Sequence, residues 1–325
     1  MGTAKDIAEV AGSVVTPITK LIECISGALG KTFEPRRMKK KAEAEAERIK
    51  ILSEALRENC DIPITINSNE ISLSTTDYDD FLKRTQTRMA YQELKKQQNI
   101  ENVANKAVAV LADEEAVAPD PVDQDWLMRF FNTVEDVGNE EMQEIWARLL
   151  AGEVKKPGTF SLRTLETLRN MTHEEAVAFE KMCAHCIMIV GSRAILQDEG
   201  YLKEFGIPFG MLLKLSECGL INSSALLSIN VRVNREKPLV IRTDDYVAIA
   251  TTNEIKKVDI GMYPLTSSGI ELSKIAGCHM ELDEFKAVAR KIEENTNFSL
   301  FKIYRIIEIQ GERISYNMAE NLRDE

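Results

Sequence analysis

Apolar positions recur at three- and four-residue steps over most of the chain, so helices dominate the expected fold. Ile7, Val10, Ala11, Val14, Ile18, Leu21, Ile22, Ile25 and Leu29 share one helical face, with a kink expected near Pro17. Ala42, Ala46, Ile49, Leu52 and Leu56 keep the spacing beyond Pro35. Residues 59–77 interrupt it with Pro63, Asn67, Ser68 and Asn69, the composition of a joint or surface hairpin. A long helical pattern then runs from Asp77 to Ala112, which at about 1.5 Å per residue approaches 54 Å. Lys95, Lys96, Gln97, Gln98 and Asn99 keep its centre polar, as suits a stalk or paired helix better than a core helix.

Pro119 and Pro121 mark a linker, after which Trp126, Leu127, Phe130, Phe131 and Val134 form one apolar face and Met142, Ile145, Trp146, Leu149 and Leu150 the next. Asn139 is the expected cap of the second helix, Ser161 starts a third, and Thr172 with Glu175 has capping-box spacing before a fourth. Past Gly206 a helix stopping at Gly219 is followed by β-rich runs at 226–233, 239–242, 246–251 and 255–263, then Leu265-Thr266-Ser267-Ser268-Gly269-Ile270-Glu271-Leu272. This order resembles a winged-helix module. Leu282, Phe285, Val288, Ala289 and Ile292 predict a last helix, and Gln310-Gly311 a hairpin turn. The expected fold class is mainly α. It divides into an amphipathic segment 1–34, a stalk 35–113, a linker 114–121, a helical domain 122–190, a winged-helix-like α+β module 191–280, and a terminal helix and hairpin 281–325.

Charge refines this picture. The 325-residue chain carries a formal charge of −11, so nucleic acid and anionic lipid are repelled at long range and any contact with them must be local. Residues 36–50 hold seven basic and three acidic side chains, whereas 113–147 hold eleven acids and a single base, Arg129. The six cysteines are scattered through helical patterns, and no apolar run reaches the about 18 residues of a spanning helix, so the expectation is a reduced cytoplasmic protein, at most peripheral to the inner membrane.

Pro17-Ile18-Thr19-Lys20-Leu21-Ile22-Glu23, the Ala-Glu run at 42–45, Gln98-Asn99-Ile100-Glu101, Asp125-Trp126, Phe130-Phe131 and Glu140-Glu141-Met142-Gln143 occur in order. Ile145-Trp146-Ala147, Leu150-Ala151-Gly152-Glu153, Pro157-Gly158, Phe160-Ser161 and Arg163-Thr164 continue the string. Over roughly positions 15 to 185 this resembles a bacterial family, the domain of unknown function 2806. The part from the acidic helix through Leu150-Ala151-Gly152-Glu153 is also similar to the abortive-infection alpha proteins of phage defence. The resemblance implies a bacterial cytoplasmic or membrane-peripheral protein with a defence role, and it transfers no catalytic residue.

The leading functional expectation is a non-enzymatic assembly or effector protein. Val14, Ile18, Leu21, Ile22 and Ile25 would supply the apolar contact and Arg36, Arg37, Lys39, Lys40 and Lys41 the polar one, toward a second copy of the chain or an anionic membrane surface. A nucleic-acid contact through Arg232, Arg235, Lys237 and Arg242 on the β-rich ribbon ranks below it, because Pro208 to Cys218, the recognition helix of a winged module, offers few cations. Third comes a metal-dependent nuclease, from the spacing of Asp244 or Asp245 with Glu254-Ile255-Lys256. Cys183-Ala184-His185-Cys186 has half the spacing of a zinc knuckle, but its cysteines share a helical face with Phe179 and Met182 and no second pair exists, so neither metal nor cofactor is expected.

Overall fold

The computed structural model describes residues 16–29, 75–112, 114, 117–224, 227–277, 279–296, 301–311 and 313–324. The chain divides into two units, Met1–Thr159 and Phe160–Glu325, with the boundary inside the stretch read as one helical domain.

In the first unit, α1 spans Pro17–Leu29. Pro17 occupies the first helical position, where its missing N–H is no loss, and Thr16 Oγ1 accepts the Thr19 N–H at 3.2 Å. The helix α2 (Thr75–Leu111) is the long one. No residue from Asp80 to Gln98 is buried, whereas Ile100, Val103, Ala104, Ala107 and Leu111 line its buried face. Alanines in that stripe let it approach α4 (Glu140–Lys155) closely, and α3 (Gln124–Val134) packs beside both. Trp126 stacks on Phe130 at 5.2 Å, and Phe131 and Trp146 meet the Phe130 ring edge-on at 5.2 and 5.5 Å. Two polar residues within this core are tied to backbone: Asn99 Nδ2 donates to the Glu135 carbonyl and Gln143 Nε2 to the Val137 carbonyl, each at 2.8 Å. The first bond occupies the carbonyl of the residue that caps α3 and the second one in the turn that follows, groups the helix itself does not pair.

The second unit begins with α5 (Leu162–Arg169) and α6 (His173–Ala184). Then come β1 (Ile187–Ile189), β2 (Ser192–Leu196), α7 (Glu199–Glu204) and α8 (Phe209–Glu217). The strands β3 (Ser228–Val233), β4 (Leu239–Arg242), β5 (Tyr246–Ala250) and β6 (Lys256–Pro264) match the alternations read from the sequence. They are followed by α9 (Ser267–Ser273), α10 (Leu282–Thr296), β7 (Lys302–Gln310) and β8 (Arg313–Tyr316). All described strands join one antiparallel sheet in the order β3-β6-β2-β1-β4-β5-β7-β8. The fold is therefore mixed α+β, which corrects the expectation of a mainly α chain. The β7–β8 hairpin turns at Gln310-Gly311 as its sequence predicts, whereas Ile187–Leu196 had no visible partners in the sequence and joins the sheet because strand backbones pair irrespective of separation along the chain.

One face of this sheet carries α10, whose Phe285, Val288, Ala289 and Ile292 are buried against it, with the Phe285 ring stacked on Tyr246 at 5.9 Å. The chain end is pinned to the same helix. Glu293 accepts the Phe301 N–H at 2.6 Å and pairs bidentately with Arg323, holding the short helix Leu322–Asp324 in place.

Candidate functional site

The opposite face of the sheet presents the side chains that point to a function. Because side chains alternate along a strand, directly paired residues share a face. Met188 pairs with Arg193 on β2 and with Arg242 on β4, Arg242 pairs with Val247, and Val247 pairs with Tyr304. A single row across five strands thus reads Arg193, Met188, Arg242, Val247, Tyr304, and Tyr316, paired with Ile306 on the same face, stacks its ring on Tyr304 at 5.2 Å. By the same alternation Asn230, Arg232 and Lys257 lie on this face, as does Asp259.

The turn from Asn234 to Pro238 carries the chain from β3 at the sheet edge to β4 and bounds a cleft of about 770 Å³. Its lining includes Met188, Val190, Arg232, Lys237, Val240 and Arg242. None of its described lining residues is acidic. Asn234 shapes the turn by accepting the Glu236 and Lys237 N–H groups at 3.0 and 2.7 Å. The structure therefore gathers three of the four ribbon cations, Arg232, Lys237 and Arg242, about one concavity. Arg235 is on the same turn but donates its Nε to Asn253 Oδ1 at 3.0 Å. Arg242 also reaches the exposed Asp244 carboxylate, at 3.9 Å.

Sequence reasoning missed the β1–β2 hairpin, Arg193 and both tyrosines. The hairpin turns on Val190 and Gly191, at φ 49° and 76°. Left-handed backbone at both central positions is the type I′ geometry that favours Asn-Gly, and a β-branched residue there is strained. Period-two alternation after Cys186 was the available signal, hidden because Val-Gly is not a recognised turn pair. Val190 is nevertheless held at the cleft mouth with its side chain exposed. Val190→Asn is expected to raise the stability of this unit by about 1 kcal/mol, read as a higher denaturant midpoint.

The remaining candidates are placed elsewhere. Leu21 and Ile25 are buried against α2, α3 and α4 of their own unit, while Ile18 and Ile22 stay partly exposed. Lys20 is buried with them and donates Nζ to the Ala118 carbonyl at 2.5 Å. Burial also pushes the Cys24 thiol up to about 11, which keeps it protonated and unreactive at neutral pH. Val14, Arg36, Arg37, Lys39, Lys40 and Lys41 lie outside the described residues.

Asp244 and Asp245 precede β5 and Glu254 follows it, so a strand of five residues, about 17 Å, separates the acids that the nuclease spacing would bring together. Asp245 pairs with His279 at 2.9 Å. Cys183 and Cys186 are buried, and His185 pairs through Nδ1 with Glu284, which also accepts the Tyr201 hydroxyl at 2.8 Å. Burial and the adjacent Glu284 charge push the Tyr201 phenol well above its ordinary range, so it serves as a fixed donor. Among the described residues no group of three or more His, Cys, Asp or Glu is arranged to hold a metal ion, and no helix is long and apolar enough to cross a membrane.

Comparison with curated proteins and with solved structures returns no match. A family profile does match, over residues 83–289, about two thirds of the chain. It extends well past the residues that carried the resemblance, into the sheet, and leaves the Pro17–Glu23 and 42–45 strings outside. The chain belongs to the family described as Protein of unknown function (DUF2806).

Proposed function

We propose that this protein binds nucleic acid through the basic cleft of its C-terminal sheet. The observation that carries the reading is the convergence of Arg232, Lys237 and Arg242 on a cleft with no acidic residue among its described lining, in a chain of formal charge −11. Cations scattered to keep a sheet edge from aggregating would not need to meet in a concavity. Phosphates gain most where several cations converge over low-dielectric walls, and Met188, Val190 and Val240 supply such walls.

The element order supports a winged-helix reading of the same unit. The β1–β2 hairpin, two short helices and four further strands follow α6, and β2, β6 and β3 are neighbours, with β4 and β5 inserted between the wing strands β3 and β6. In such a module α8 would be the recognition helix, yet it exposes Phe209 and Leu213, and its Lys214 faces Glu174 at 3.7 Å. The ribbon side is therefore the better phosphate surface. Assembly or lipid contact through the N-terminal helices takes second place, because among the described residues of that apolar set only Ile18 and Ile22 are partly uncovered.

Full-length protein in which Arg232, Lys237 and Arg242 are all alanine tests the proposal. Its affinity for nucleic acid at about 0.1 M salt should fall tenfold or more, and the slope of log affinity against log salt should flatten by about 2, roughly 0.7 per lost phosphate contact. Equal retention and an unchanged salt slope would remove the proposal.

A further inference from the structure

We infer that the sheet face takes single-stranded nucleic acid, with Tyr304 and Tyr316 as a stacking platform beside the basic cleft. This deepens, and rests on, the nucleic-acid reading of that cleft.

The two rings stack at 5.2 Å, each half-buried, on the face that carries Arg242 and Arg193. Val247 alone stands between Arg242 and Tyr304 in the cross-strand row, which places them two strand spacings apart, about 10 Å. A base lying on the tyrosine pair would have neighbouring phosphates within reach of Arg242 and the cleft. Stacking on an aromatic ring requires a base with a free face, which a strand offers and an intact duplex does not.

Two further observations agree. Arg193 begins the same row, and its Nε is buried without a hydrogen-bond partner among the described residues. Val190 presents an apolar side chain at the cleft rim from a strained turn, a placement suited to contact with a base rather than a phosphate. A duplex reader, by contrast, places a helix in the major groove, and α8 has one cation for that purpose. The face is not uniformly basic, since Asp259 on β6 pairs with the cleft-lining Asn230, so the track is expected to leave the cleft past Arg242 toward the tyrosines rather than along β6.

Fluorescence anisotropy of the full chain with a labelled oligothymidylate of about 20 nucleotides, and with a duplex of equal length, tests this. The strand should bind at least tenfold more tightly than the duplex. The variant carrying Tyr304→Leu and Tyr316→Leu keeps apolar volume but removes both rings; it should lose about tenfold on the strand and nothing on the duplex, and Phe at both positions should restore binding. Duplex binding as tight as strand binding, or a Leu variant that binds the strand normally, would overturn the inference. If only the arginine and lysine replacements weaken binding, the cleft reading stands and the single-strand assignment alone falls. Retention of neither probe removes both.

Discussion

Replacing Gly269 with alanine should destabilise the C-terminal unit by about 3 kcal/mol or more, because the added carbon has no space. A Cβ built there would lie 2.1 Å from the Leu220 carbonyl oxygen and 3.3 Å from the Leu265 Cβ. Neither neighbour can move freely. The Leu220 carbonyl accepts the Thr266 N–H at 2.9 Å, and Thr266 donates its hydroxyl to the Gly219 carbonyl at 2.6 Å while capping α9 through the Gly269 N–H. Shifting α9 would break that cap and withdraw Glu271, which accepts the Ser161 N–H and the Thr164 hydroxyl at the start of α5. The readout is unit-specific, since both tryptophans, Trp126 and Trp146, belong to the N-terminal unit. Loss of far-ultraviolet circular dichroism should come at markedly lower denaturant, and tryptophan emission should keep its midpoint. A wild-type dichroism midpoint would show that the clash is relieved some other way.

Phe130→Ala should have the complementary effect and cost the helical unit about 3–5 kcal/mol. The ring is fully buried and contacts Trp126, Phe131 and Trp146 at once, so its removal leaves a cavity among three rigid rings that cannot collapse into it. Phe130→Leu fills much of that volume and should cost about 1.5 kcal/mol or less. Tryptophan emission is the direct probe, because both indoles touch the missing ring. The Ala variant should shift the denaturant midpoint and redden the native spectrum. Equal midpoints for the Ala and Leu variants would show that the ring is not what holds the cluster.

The two residues differ in how far the sequence foretold them. Phe130 was legible from helical spacing. The string Leu265-Thr266-x-x-Gly269-x-x-Leu272 was visible too, but what it does was not: Thr266 holds the preceding chain, Gly269 admits the Leu220 carbonyl, and Leu272 is buried beneath. The apolar stripe of α1 taught the converse. Periodicity shows that a face will be covered and not by what; over the described Pro17–Leu29 the chain itself covers Leu21 and Ile25.

What the sequence alone determined is whatever a few neighbouring residues decide. Asn139, Ser161 and Thr172 cap their helices as their spacing requires, Gly219 follows α8 at φ 73°, and β3 to β6 fall within a residue or two of the alternating runs. The strand order was decided only in three dimensions, because a strand can satisfy its hydrogen bonds with any other and its preferred partner depends on the fit of whole faces. That order brings Arg242 into line with Met188, Val247 and Tyr304, residues from four strands whose proximity no local pattern records. The cations were present in the sequence; the surface they form exists only where the sheet aligns them.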